Sequence, residues 1–360
     1  MRPLRLLCAA ACLALSLGGC HRTPPLTPQE QTIVNALTAN LKTRCVGRYL
    51  IDVPADALAF PTTKLQGVTV ETQAMSQADY QKAMEAHANE LKATKSPSGY
   101  QYLYLDTEIE GIPTSRYFLS LGDPTAMTDA ERVIEAYKWD RGYQFKMRIE
   151  ASDASKSVYF KDDPSVRDDP IMTDVRANGQ LVVSLLDRVR GRADDEIPTE
   201  PGVCFAGGFL PGAGDIRYRE DASVQFVLKD HTDVSFDLDT DTGIQEPNTL
   251  LERGGDIHAM LWQNDGHTIR KGVVDFHGMQ AEEWVAEQKS PDGVLSTYAT
   301  LEANSKAGSA KAPFVNLTMS TGEGNRVLQS KIDKASLTES EAAALWDAVS
   351  RTLRPRPNGF

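Results

Sequence analysis

Apolar residues recur along this chain with two periods, and the alternation between them lays out its elements. Thr27-Pro28-Gln29-Glu30 supplies an N-cap, a first-turn proline and a capping glutamate, and Ile33, Val34, Leu37 and Leu41 follow at helical spacing. The pattern predicts a helix packed on the first half of the chain. Ser76 and Asp79 open a second helix with Tyr80, Ala83, Met84 and Leu91 as its apolar stripe. Tyr143, Phe145, Met147 and Ile149 alternate instead, which marks a half-buried strand reached from Val133–Trp139 through the turn Asp140-Arg141-Gly142. Val182, Leu185, Leu186 and Val189 return to helical spacing and close this half.

The second half opens on a predicted hairpin, Val224–Leu228 against Val234–Leu238. A short helix near Thr249–Trp262 follows, then strands near Ile269–Phe276, Gln280–Gln288 and Phe314–Met319. The last helix is capped by Thr338 and Glu341 and buries Ala342, Leu345, Trp346, Val349 and Leu353; Arg351, Arg354 and Arg356 suit its negative end. Runs of strands broken by few helices predict an α+β fold of mainly antiparallel sheet, with the helices on one face.

The halves echo one another. Cys45-Val-Gly47-Arg-Tyr49-Leu50 parallels Cys204-Phe-Ala-Gly207-Gly-Phe209-Leu210, Gly111 parallels Gly278 at a strand turn, and Arg188 parallels Arg351 near the end of each half. These anchors predict two related lobes, residues 29–192 and 203–360, joined by the polar linker 193–202. Superposable lobes of matching strand order would support duplication, and a single continuous sheet or a different strand order would count against it.

The first residues are of another kind. Arg2 and Arg5 precede an almost uncharged run, Leu6 to Leu17, which is shorter than a membrane span and matches a secretion signal over residues 1–19. Leu17-Gly18-Gly19-Cys20 resembles the bacterial lipoprotein box, which implies cleavage before Cys20 and lipidation of Cys20; the alternative is a plain cleavage site beside a chance cysteine. Either way the expected compartment is the periplasm. His21 rather than an acid follows Cys20, which favours the outer membrane, and residues 20–28 form a Pro-rich spacer. Export leaves Cys45 and Cys204 in an oxidising compartment, where they either form a disulfide or pack as two buried thiols.

The 360 residues carry 38 basic and 50 acidic side chains, a formal charge of −12, which excludes a broad nucleic-acid surface. There is no Gly-x-Ser-x-Gly, no H-E-x-x-H and no phosphate-binding G-x-x-x-x-G-K-[ST]. His21, His87, His231, His258, His267 and His277 stand singly, which suits solvated or structurally bonded roles. Asp237-Leu-Asp239-Thr-Asp241-Thr-Gly243 superficially resembles a calcium loop, but glycine falls one place late and Asn248 stands where a bidentate glutamate is needed; a solvated strand end is expected. The glycine-rich Gly207–Gly214 lacks dinucleotide-binding spacing and reads as a tight turn. No catalytic residue, metal site or cofactor is predicted, and the sequence does not point to interface residues.

Cys45–Pro54, Gly202–Phe209 and Leu345–Arg356 together resemble the type VI secretion lipase-immunity proteins, and the likeness runs over nearly the whole mature chain with paired N-terminal and C-terminal family domains. The resemblance implies a protein that binds and inhibits a cognate secreted phospholipase effector, held at the membrane through the lipid on Cys20. The competing classes are a periplasmic lipoprotein hydrolase with a dispersed site and an envelope scaffold. Converging His, Ser and carboxylate groups in a compact pocket would favour the enzyme, and a broad solvent-facing surface the inhibitor.

Overall fold

The structure is a computed structural model and describes residues 25–214, 219–290, 293–324, 328 and 332–360. The signal segment, Cys20 and His21 lie outside the described residues. None of the described helices is long and apolar enough to cross a membrane.

Helix α1 (Pro28–Thr38) leads into a hairpin, β1 (Leu41–Val46) and β2 (Tyr49–Pro54), followed by β3 (Leu58–Leu65), β4 (Val68–Ala74) and α2 (Gln77–Ala93). Strands β5 (Leu103–Thr107), β6 (Ser115–Leu121), β7 (Glu131–Asp140) and β8 (Tyr143–Ser152) come next, then the short α3 (Pro164–Arg167), α4 (Val175–Arg188) and β9 (Arg190–Gly191). The second half repeats this order: hairpin β10 (Gly202–Phe205) and β11 (Gly208–Pro211), β12 (Glu220–Val227), β13 (Ser235–Asp241) and α5 (Gly254–Gln263). It continues with β14 (His267–Phe276), β15 (Met279–Lys289), β16 (Leu295–Ala303), β17 (Phe314–Ser320), α6 (Glu339–Ser350) and β18 (Arg354–Pro355). Both predicted capping boxes form, Thr27 with Glu30 and Thr338 with Glu341.

Six strands of each half form one sheet in the order β3-β4-β8-β7-β6-β5 and β12-β13-β17-β16-β15-β14, the same order counted outward. The two run on without a break, because β3 pairs antiparallel with β12 from Leu58↔Val227 to Leu65↔Glu220, giving twelve strands. The matching order agrees with duplication, but the single continuous sheet is the arrangement expected to count against it: β3 and β12 pair edge to edge, so the halves are not separate lobes dividing between 192 and 202.

The hairpins bind them further by exchange. The terminal strand β18 of the second half pairs with β2 of the first, and β9 of the first pairs with β11 of the second. Accordingly, Val46, Tyr49, Ile51 and Val53 fill the core built on β12–β17 and α6, whereas Val203, Phe205 and Leu210 fill the core built on β3, β4, β7, β8 and α4. Each hairpin completes the other half's core. Helix α1 follows its hairpin, so Ile33 and Leu37 pack on the second core beside α6 and not on the first lobe as its sequence position suggests.

Exchange also moves the arginines expected at the end of α6. Arg354 lies in β18, and Arg356, only 2% exposed, donates to the carbonyls of Pro198, Glu200 and Gly202, which pins the segment expected to be a polar linker. Within the second core, Glu283 receives Trp346 Nε1 at 2.7 Å, Arg270 Nε at 2.8 Å and Arg351 Nη2 at 2.7 Å, and these bonds outweigh burial to hold its carboxyl below the usual range.

Helices lie on both faces of the sheet, contrary to the one-face expectation. Residues directly opposite in an antiparallel pair share a face. Leu65, in the first core, opposes Glu220, whose alternate neighbours Ala222, Val224 and Phe226 point into the second core, so both cores share one face. On β7, Ile134 and Ala136 face α4 while Tyr137 joins Phe118, Tyr80 and Met84 under α2; on β15, Val285 faces α6 while Trp284 and Ala286 lie under α5. The sequence missed this because β7 and β15 bury side chains on both faces, which removes the polar half of the alternation.

Candidate functional site

Cys45 and Cys204 form a disulfide with their Cα atoms 5.6 Å apart. They occupy equivalent places, Cys45 opposite Leu50 in one hairpin and Cys204 opposite Phe209 in the other. Beside them Gly47 and Cys204 exchange backbone hydrogen bonds of 2.9 and 2.7 Å. Gly47 has φ +57°, and a Cβ there would meet Thr240 Oγ1 at 2.2 Å, so only glycine allows this approach. The site is closed by Arg48, 2% exposed, whose guanidinium grips Glu220 through Nε at 2.9 Å and Nη2 at 2.7 Å. These contacts fix the two halves rigidly and thereby fix the shape of the opposite, outer face.

That outer face is flanked by α2 and α5 and floored between them by β8, β4, β3, β12, β13, β17 and β16. On α2, His87 donates from Nε2 to the Glu135 carboxylate at 2.7 Å and stacks edge-on to Phe118 and Tyr137. On α5, His258 stacks edge-on to Trp284 and lies 2.9 Å from Lys271 Nζ. The two helices are thus seated by the same device, a histidine over a strand aromatic. Helix α5 leaves Met260 and Trp262 exposed, the latter by 82%.

Charge is divided across the floor. In the first half Lys146 pairs with Glu135 at 2.7 Å, and Arg148 with Glu150 at 3.4 Å. In the second, Asp237, Asp239 and Asp241 alternate along β13, with Asp221 directly opposite Asp241 on β12. Asp241 receives Arg219 Nη2 at 3.1 Å, and Asp221 faces Lys64 across β3. Asp237 and Asp239 face Gln225 and Ser223 on one side and Thr318 and Asn316 on the other. Burial, followed by the charge of Asp241, pushes the Asp221 carboxyl up; burial and the charge of Asp239 do the same to Asp237. Like charges opposed across strands cost stability. The aspartates are therefore not a solvated strand end but a half-buried ladder inside the sheet, the backbone being strand rather than loop because Phe236 and Leu238 are fully buried on the other face.

The remaining predicted positions disperse. His277 Nε2 lies 3.0 Å from the Arg351 carbonyl oxygen at the β14–β15 turn, and His231 lies beyond β12. His267 pairs with Glu339 at 3.0 Å. Gly207 makes the β10–β11 turn at φ +65°, as its glycine-rich surroundings predict. The sequence did not identify His267, Glu287 and Glu339 as neighbours, since they belong to three elements.

Two family models match the chain: the Tle cognate immunity protein 4 N-terminal domain over residues 42–192 and the Tle cognate immunity protein 4 C-terminal domain over 196–358. No curated protein matches it. Among solved structures, it resembles a chain of the Tle4-Tli4 complex at 22% identity and TM-score 0.69, covering 89% of this chain and 99% of that one. It also resembles the apo structure of immunity protein TplEi of T6SS from Pseudomonas aeruginosa at 22% identity and TM-score 0.66, covering 89% and 98%. The same immunity protein complexed with "L" peptide gives 20% identity and TM-score 0.62, covering 89% and 99%. At these identities the likeness establishes the fold, and the two domain matches in order establish the family. The chain belongs to the Tle cognate immunity protein 4 family and carries both of its domains.

Proposed function

We propose that this protein is an immunity protein that binds a type VI secretion phospholipase effector in the periplasm and inhibits it, with no catalysis of its own. The observation that carries this reading is the presence of both immunity domains, in order, across residues 42–358. A binding role also suits the build: two units, 29–192 and 203–360, interlocked by exchanged hairpins and presenting a broad face rather than a compact reactive pocket. A rigid scaffold loses little freedom on association, which favours tight binding.

The docking surface in this reading is the outer sheet face between α2 and α5. Its aspartate ladder is costly to the free protein, and a basic surface on the effector would relieve that cost on binding. Lipidation of Cys20 would hold the protein, by preference at the outer membrane, near the lipid that a phospholipase attacks and raise its local concentration there.

Periplasmic production of the effector in cells carrying or lacking this protein tests the reading. Survival with the protein and lysis without it is the expected result; lysis in both sinks it. Cys20→Ser is expected to move the protein to the soluble periplasmic fraction, and retention on membranes would refute the anchor.

A further inference from the structure

The β14–β15 register places His267 directly opposite Glu287, on the same face of the outermost hairpin. Helix α6 begins at Glu339, whose Oε2 lies 3.0 Å from His267 Nε2. One nitrogen and two carboxylate groups thus converge from three elements, with their ligand atoms all within 4.8 Å of one another. We propose that His267, Glu287 and Glu339 form a zinc site that clamps the edge hairpin β14–β15 to the start of α6.

The chemistry of the donor set selects the ion. An imidazole nitrogen with two carboxylates suits zinc, which takes nitrogen and oxygen ligands at roughly 2.0–2.2 Å, with water completing the four where the protein supplies three. Calcium is disfavoured, since it requires six to eight oxygens. Two carboxylates converge beside one imidazole, and among the described residues neither Glu287 nor Glu339 is paired with a lysine or arginine. The ligands sit on two paired strands and on the first turn of a helix. A cavity of about 370 Å³ beside Glu287 and Glu339, also lined by Leu295, Asp333 and Lys334, gives an ion and its water access.

The inference is independent of the inhibitory role, and it opposes the sequence expectation that no metal is bound. Zinc chloride titrated calorimetrically into the full mature chain, without a histidine tag, tests it. One zinc per chain is expected, with at least tenfold weaker binding for His267→Ala and for Glu287→Gln, and unchanged binding for His258→Ala. Zinc is also expected to raise the melting temperature of the native chain and not that of either ligand variant. Absence of stoichiometric binding to the native chain, or equal binding by His267→Ala, overturns the proposal.

Discussion

Arg356 donates its backbone N–H to the carbonyl of Arg48 at 2.9 Å, joining the last strand of the chain to the first hairpin. The other half repeats the contact, with Arg192 N–H on the Gly207 carbonyl at 3.1 Å. Both arginines follow an exchanged strand, and both side chains are buried, Arg192 to 3% and Arg356 to 2% exposure. The structural equivalence therefore couples Arg190 to Arg354 and Arg192 to Arg356, one position away from the Arg188 and Arg351 match suggested by sequence. Reciprocal exchange makes the two domains one mechanical body.

The Cys45–Cys204 disulfide closes a loop of sequence separation 159 at the crossing of the exchanged hairpins. Cys45→Ala with Cys204→Ala is expected to cost about 2–5 kcal/mol, with alanine avoiding a buried hydroxyl at Cys204. Urea denaturation measures it. A thiol reductant should bring the native chain to the variant's midpoint and leave the variant unmoved.

His87 gives a pH dependence of known sign. Its hydrogen bond to Glu135 raises its pKa, despite burial. The native state therefore holds this proton at a pH where the unfolded state has lost it, so the contribution is complete below about 6.5 and is lost as pH rises through the raised value. Burial opposes ionisation of Glu135, but His87 and Lys146 outweigh it and bring its pKa down to about 2. That contribution is present above the ordinary glutamate range and lost as pH falls toward 2. Unfolding free energies of native and His87→Gln protein measured across pH 5 to 9 are expected to converge as pH rises. A constant difference would show that the histidine acts by packing alone.

Asp237 separates binding from stability. Asp237→Asn is expected to stabilise the free protein by about 0.5 kcal/mol by removing a repelled charge from the ladder. The double change Asp237→Lys with Asp239→Lys is expected to slow effector association at least tenfold at low salt, with the native dependence on ionic strength flattened. Stopped-flow binding over a salt series reads both. Unaltered association would move the docking surface elsewhere.

Local features were legible in the sequence and long-range ones were not. Thr27 with Glu30 and Thr338 with Glu341 act over three residues, so their helices could be read directly, as could the β12–β13 hairpin. Arg190–Gly191 and Arg354–Pro355 are two-residue strands whose partners lie far along the chain, and so short a segment has no period to read. Alternating aspartates in β13 look solvated because their buried counterparts, Leu238 and Thr240, do not distinguish an interior strand from an edge. The functional class is legible only through resemblance across Cys45–Pro54, Gly202–Phe209 and Leu345–Arg356, since the chain carries no short catalytic motif of the kinds named above and an interaction face has none.

Immunity by binding requires stoichiometric inhibition by a protein that does not itself hydrolyse lipid. Phospholipid hydrolysis by the purified cognate effector, titrated with the mature chain and run beside the mature chain alone, tests it most directly. Activity is expected to fall to zero near one equivalent, with no turnover by the mature chain. Undiminished effector activity at excess, or lipid hydrolysis by the chain alone that a single Ser or His substitution abolishes, would contradict it.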